Sequence, residues 1–164
     1  MADPLPVRKG LRWRIHDYRL DGWYFVTLCV QDRLRLLGCI DSAGVRLSDA
    51  GLMIRDTLLE LERFESGLSV DTLVVMPDHL HAILALARPG GADPSRDLGA
   101  IVGRYKSLST RRYVLGVQDR GWPPFHGRLW QRGFHDRVIR NERECEEFRE
   151  YVRSNPQRWL AAHS

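Results

Sequence analysis

The chain has 164 residues, with 25 Lys+Arg against 21 Asp+Glu and a net charge of +4. That length predicts a single domain (1–164) whose core needs no disulfide staples. No apolar run approaches the ~20 residues that cross a bilayer, and the N-terminus lacks a charged stretch followed by an apolar one, so a soluble, cytoplasmic protein with no membrane partner is expected.

Residues 1–21 form a basic arm: Arg8, Lys9, Arg12, Arg14 and Arg19, with Trp13 and Tyr18 between them. Basic side chains interleaved with aromatics can grip phosphates and stack on bases; a solvated arm is the competing reading. Residues 22–31 predict a strand with Trp23, Phe25, Thr27 and Cys29 on one face and Tyr24, Val26, Leu28 and Val30 on the other. Residues 32–47 predict a minor hairpin turning near Ser42-Ala43-Gly44. Ser48 is a suitable N-cap for a helix to Phe64 with an apolar face of Leu52, Ile54, Leu58, Leu59 and Leu61.

Residues 70–86 predict two strands about Pro77-Asp78. The run Leu73-Val74-Val75-Met76 suits a central strand buried on both faces. After the turn, alternation puts His79 and His81 on one face and Leu80 on the other. Neutral imidazoles two residues apart on one face can hold one metal ion, although six histidines also produce such a pair by chance. Residues 88–97 are dense in breakers and predict a loop beside this site.

A second helix is expected over 98–114, with Arg104, Lys106, Arg111 and Arg112 on its outer faces. Such a surface can act as a phosphate rail or stand as a solvated face. Residues 116–127 read as irregular, and a strand is expected from Leu129-Trp130 to Ile139. Asn141 and Glu144 predict the start of a last helix ending near Ser154, with Cys145, Phe148 and Val152 buried. Cys29, Cys39 and Cys145 are odd in number and lack C-x-x-C spacing; buried thiols in a reducing compartment are expected. Arginine carries nearly all the basic charge, Lys9 and Lys106 being the lysines. That suits phosphate geometry, with genomic composition bias the other explanation.

Strand, helix, strand, strand, helix, strand is the order of an α+β, ferredoxin-like β-α-β-β-α-β antiparallel sheet, here with an additional C-terminal helix. Tyr151 and Asn155 lie four apart on one side of that helix, and Pro156 places Asn155 at its end. Packed on the histidine face, the helix (141–155) brings the Tyr151 hydroxyl near a metal held by His79, His81 and Asn155. A divalent metal, Mg or Mn, would polarise a phosphodiester for attack by the otherwise weak phenol. The competing readings are a core-capping tyrosine and a C-cap asparagine.

The motifs combine into a recognisable pattern. Tyr-Phe-Val-Thr-Leu-Cys at 24–29, Leu-Ser-x-x-Gly at 47–51, Val-Val-Met-Pro-Asp-His-Leu-His at 74–81, Leu-Gly-Ala-Ile-Val-Gly-Arg-Tyr-Lys-Ser at 98–107, Trp130 with Asp136–Arg140, and Tyr-Val-Arg-Ser-Asn-Pro at 151–156 occur in order. The chain resembles the REP-associated tyrosine transposases, a branch of the single-tyrosine HUH transposase superfamily. The resemblance implies single-stranded DNA cleavage and strand transfer through a 5′-phosphotyrosine, recognition of palindromic hairpins, Tyr151 as nucleophile, and His79, His81 and Asn155 as metal ligands. Arg12, Arg14, Arg104, Lys106, Arg111, Arg112, Arg132 and Arg140 are the candidate contacts to single-stranded or hairpin DNA, by a monomer or a homodimer. Relatives often have Asn at Asp78 and an aromatic at His135, and some carry a longer tail beyond Trp159. The alternatives are a domesticated hairpin-binding protein without catalysis and a metallonuclease that hydrolyses without a covalent intermediate.

Overall fold

The computed structural model describes residues 21–87 and 97–163. The basic arm, including Arg12 and Arg14, and most of the 88–97 loop lie outside the described residues. The elements are β1 (Asp21–Cys29), a 3-10 turn (Gln31–Arg33), β2 (Gly38–Asp41), β3 (Gly44–Leu47), α1 (Asp49–Phe64), β4 (Leu68–Met76), β5 (His79–Ala87), α2 (Leu98–Arg120), β6 (His135–Ile139) and α3 (Glu142–His163). β4, β5, β1 and β6 form one antiparallel sheet in that spatial order, and β2 and β3 form the small hairpin. This is the expected α+β, ferredoxin-like arrangement with an added C-terminal helix.

Alternation along β1 and β5 builds two cores. Val26, Leu28, Leu80, Ala82 and Leu84 face α1 and α2, meeting Ile54, Leu58, Ile101, Val102 and Tyr105. Trp23, Phe25, Ile83 and Ala85 face the other way and meet Ile139, Cys145 and Val152 under α3. β5 is therefore covered on both faces and is buried from His79 to Leu86. On the α1–α2 side, Tyr105 donates to the Ile54 carbonyl at 2.9 Å and Trp130 Nε1 donates to Ser109 Oγ at 3.0 Å.

The Leu-Ser-x-x-Gly stretch has a local cause. Ser48 Oγ caps the Gly51 amide at 3.0 Å and donates to the Leu36 carbonyl at 2.9 Å. A Cβ at Gly51 would strike the Leu37 carbonyl, so glycine is what lets α1 begin against the hairpin.

The structure corrects several expectations. β4 is an edge strand, not a central one, and Asp71 to Val74 are half-buried. Its apolar run reports cover on both faces, which sequence cannot separate from having two strand neighbours. Leu52 and Leu59 of α1 are exposed, while Thr57 and Glu62 share the buried stripe. α2 continues past Val114 to Arg120, with Gly121 at its C-cap. Gly116, expected to open the irregular 116–127 segment, sits inside α2 where a Cβ would collide with the Trp122 ring. Trp130 forms an isolated bridge with Val30, so β6 starts only at His135. α3 runs through Pro156 to His163. Its last turns are held by Arg35 over the Trp159 ring at 4.9 Å and by Trp159 stacked on His163. Cys145 is buried, Cys29 is half-buried and Cys39 is exposed, so the expected set of three buried thiols reduces to one; all three are free. No helix among the described residues is long and apolar enough to cross a membrane.

Candidate active site

The site begins at the Pro77-Asp78 turn. Its carbonyls are tied to neighbouring segments, Pro77 O accepting from Leu37 N at 3.0 Å and Asp78 O from Val30 N at 2.9 Å. The turn is thereby fixed, and β5 leaves it with His79 and His81 on the α3 side of the sheet. Their rings lie 4.7 Å apart at an interplanar angle of 72°.

Each imidazole is oriented through Nδ1. His79 Nδ1–H donates to Asp78 Oδ1 at 2.7 Å, and His81 Nδ1 is hydrogen-bonded to Thr27 Oγ1 at 2.8 Å. A proton on Nδ1 leaves the Nε2 lone pair available, the state a metal requires, and both contacts are compatible with that tautomer. Burial, reinforced by His79 and by the charge of Arg33, pushes His81 down to about 3, so it is neutral at physiological pH. Burial alone would raise the Asp78 carboxyl. The His79 hydrogen bond and the Arg33 guanidinium outweigh it and hold Asp78 below the usual carboxylate range.

α3 supplies the phenol from the same chain. The Tyr151 ring is half-buried, 5.5 Å from His81 and 5.8 Å from Phe25, with the Arg158 guanidinium 5.0 Å from its centroid. Phe25 also stacks on His81 at 5.2 Å and on Phe148 at 4.7 Å. One turn beyond Tyr151, Asn155 is inside the helix rather than at its end, 7% exposed, and its Oδ1 is buried with no hydrogen-bond partner among the described residues. An unpartnered buried amide oxygen costs stability unless something binds it. Two imidazoles and one such oxygen are a donor set suited to Mn²⁺ or Mg²⁺. The described residues contain no cluster of three or more His, Cys, Asp or Glu able to hold a metal, so any centre here depends on that amide.

α3 is seated by a buried ion pair. Arg149 Nε and Nη2 donate to the two oxygens of Asp71 at 2.8 and 2.7 Å, and the side chains are 6% and 7% exposed. Asp71 lies at the irregularity where the β4–β5 register shifts between Val70 and Thr72, so a bulge aims its carboxylate at α3.

Several of the basic candidates are held by partners. Arg104 forms a bidentate pair with Glu65, and Arg112 pairs with Glu60 and donates to Thr57 Oγ1 at 3.0 Å. Glu60 of α1 and Glu65 at its C-cap thus supply the acids absent from residues 98–114. Lys106 donates to the Gln131 carbonyl at 2.8 Å and to the Gly133 carbonyl. It lines an open groove of about 760 Å³ with Arg111, Arg128 and Arg132. Arg140 is exposed at the start of α3, where its backbone N–H donates to Glu144 Oε2.

Sequence reading did not single out Thr27, Arg33 or Arg128. Thr27 pairs with His81 on one side and His135 on the other, and period-two alternation already put it on the histidine face. Arg33 follows β1, 45 positions before its partner Asp78, and nothing local signals it. Asp32 and Arg33 both take left-handed backbone, φ 57° and 54°, a conformation that costs a non-glycine residue about 1–2 kcal/mol.

No protein-family model matches the chain. An uncharacterized protein of Haemophilus influenzae is 28% identical over 163 residues, covering 93% of this chain and 89% of that one. The ISDra2 transposase TnpA of Deinococcus radiodurans is 28% identical over 127 residues, covering 77% and 76%. Among solved structures, a REP-associated tyrosine transposase bound to a REP hairpin superposes with a TM-score of 0.60 at 20% identity, over 93% of this chain and 74% of that one. A candidate transposase of Deinococcus radiodurans gives 0.53 at 18% identity, over 92% and 97%. The chain has the fold of these transposases, and the resemblance read from its motifs is borne out.

Proposed function

We propose that this chain is a tyrosine transposase of the REP-associated kind, cutting and rejoining single-stranded DNA beside a palindromic hairpin. The observation that carries the reading is the seating of the Tyr151 ring 5.5 Å from His81, one turn before the orphaned oxygen of Asn155.

His79, His81 and Asn155 would hold the divalent ion, which when bound supplies Lewis-acid polarisation of the phosphodiester. The chain's own groups do the rest. Asp78 and Thr27 fix the imidazole tautomers. Phe25 and α3 hold the phenol edge-on to His81. Tyr151 Oη gives up its proton to solvent and bonds to phosphorus, while the bond from phosphorus to the DNA 3′ oxygen breaks and that oxygen leaves as a protonated 3′ hydroxyl. The product is a 5′-phosphotyrosine and a free 3′ end. A phenolate leaves more readily than an alkoxide, so a 3′ hydroxyl can attack the same phosphorus, release Tyr151 and join the strands. Arg111, Arg128 and Arg132, whose guanidinium groups have no partner among the described residues, line a groove with Lys106 that suits the DNA backbone.

Labelled hairpin oligonucleotide with a single-stranded 5′ flank, incubated with the protein and Mn²⁺ and run on a denaturing gel, tests the reading. A protein–DNA band that disappears in Tyr151→Phe is expected. Cut DNA with no attached protein points to hydrolysis, and binding without cutting points to a hairpin-binding module.

A further inference from the structure

Arg33 is locked along its inner side and open on its outer side. Nε donates to Asp78 Oδ2 at 3.1 Å, and Nη1 donates to Cys29 Sγ at 2.9 Å. Nη2 has no partner among the described residues, and the side chain is 50% exposed. The other Asp78 oxygen holds His79, so the guanidinium stands two hydrogen bonds from a candidate metal ligand.

The backbone is arranged to deliver it there. Two successive left-handed residues, neither of them glycine, are rare outside sites where an aimed side chain requires them. They are stabilised by the tight turn itself, Arg33 N donating to the Val30 carbonyl at 3.0 Å. An exposed arginine placed merely for solubility needs neither this turn nor two anchors. A pair formed only to neutralise Asp78 does not account for the second anchor on Cys29, which fixes the guanidinium plane.

We propose that Arg33 is a phosphate-binding residue: its outer N–H groups take a non-bridging oxygen of the DNA phosphate seated over His79, while Asp78 and Cys29 hold the fork in place. Arginine suits this task because its planar fork bonds a protein acceptor and a phosphate at once. The inference rests on the strand-transfer reading for where the phosphate sits, and it identifies the group that holds it.

The test uses the full chain carrying Tyr151→Phe, so that DNA binds uncut. Anisotropy of a fluorescent hairpin oligonucleotide with a 5′ single-stranded flank is followed from about 50 to 300 mM NaCl in Mn²⁺. Adding Arg33→Gln is expected to weaken binding about fivefold and to make the log–log salt slope shallower by about one. Arg33→Lys should restore the slope while recovering only part of the affinity. Mn²⁺ binding without DNA, read by calorimetry, should change less than about threefold in Arg33→Gln, because Asp78 still holds His79. Unchanged DNA affinity and slope overturn the proposal. So does a loss of Mn²⁺ affinity equal to the loss of DNA affinity, since Arg33 would then act only through Asp78. If wild-type protein forms no covalent adduct yet Arg33→Gln still flattens the slope, the strand-transfer reading fails and the phosphate contact stands.

Discussion

Thr27 and His81 face each other across the β1–β5 ladder, with Thr27 Oγ1 2.8 Å from His81 Nδ1. Because His81 stacks on Phe25 and meets Tyr151 edge-on, this hydroxyl sets the ring against which the phenol is placed. Thr27→Val keeps the shape and removes the hydrogen bond. Mn²⁺ affinity by calorimetry should fall about tenfold, and Thr27→Ser should recover most of it.

Asn155 sets stability against function. Its Oδ1 is buried without a partner among the described residues. Asn155→Leu should therefore raise the thermal midpoint of metal-free protein, by an amount corresponding to about 1 kcal/mol. The same variant should lack the upward shift that Mn²⁺ is expected to give the wild type. Scanning fluorimetry with and without Mn²⁺ reads both, and a variant still stabilised by metal would remove Asn155 from the donor set.

Acid should weaken the metal-free fold through His81. The unfolded imidazole takes a proton near pH 6.5, and the folded one only at about 3. The contribution is complete above pH 6.5 and is lost as pH falls toward 3, because the unfolded chain then binds the extra proton. The slope from this one group is at most about 1.4 kcal/mol per pH unit. Urea unfolding at neutral and mildly acidic pH should show it, and His81→Asn should flatten it.

The Arg149–Asp71 pair joins α3 to β4 with both side chains nearly dry. Removing one partner strands a buried charge, so Asp71→Asn or Arg149→Met should each cost about 3–5 kcal/mol in chemical denaturation. Exchanging both for apolar residues of similar volume should cost much less. Hydrogen exchange should show α3 loosening in the single variants before the β1–β5 centre of the sheet does.

What sequence revealed was local. Period-two alternation placed His79 and His81 on one face, Ser48 announced α1, and Asn141 accepts from the Glu144 amide at 2.8 Å as its position suggested. What it hid depended on partners distant in the chain. Arg33 and Asp78 are 45 positions apart, and Arg149 and Asp71 are 78 apart. The acids that occupy Arg104 and Arg112 come from the α1 end of the chain. Gly116 and Pro156 mislead for one reason: breaker propensity is a local cost of a few kcal/mol at most, and the contacts of Trp122 and Trp159 outweigh it. The edge position of β4 is a fact of topology, invisible in an apolar run.

The bulge at Asp71 also bears on solubility. β4 ends the sheet with no strand paired to its outer side among the described residues, and a margin of that kind recruits strands from other molecules. An inward-turned carboxylate at a register break spoils the template twice, by kinking it and by placing a charge where a newcomer would need an uncharged surface. The residue that anchors the tyrosine helix therefore also discourages sheet-to-sheet aggregation, and neutralising it exposes the protein to precipitation as well as to unfolding.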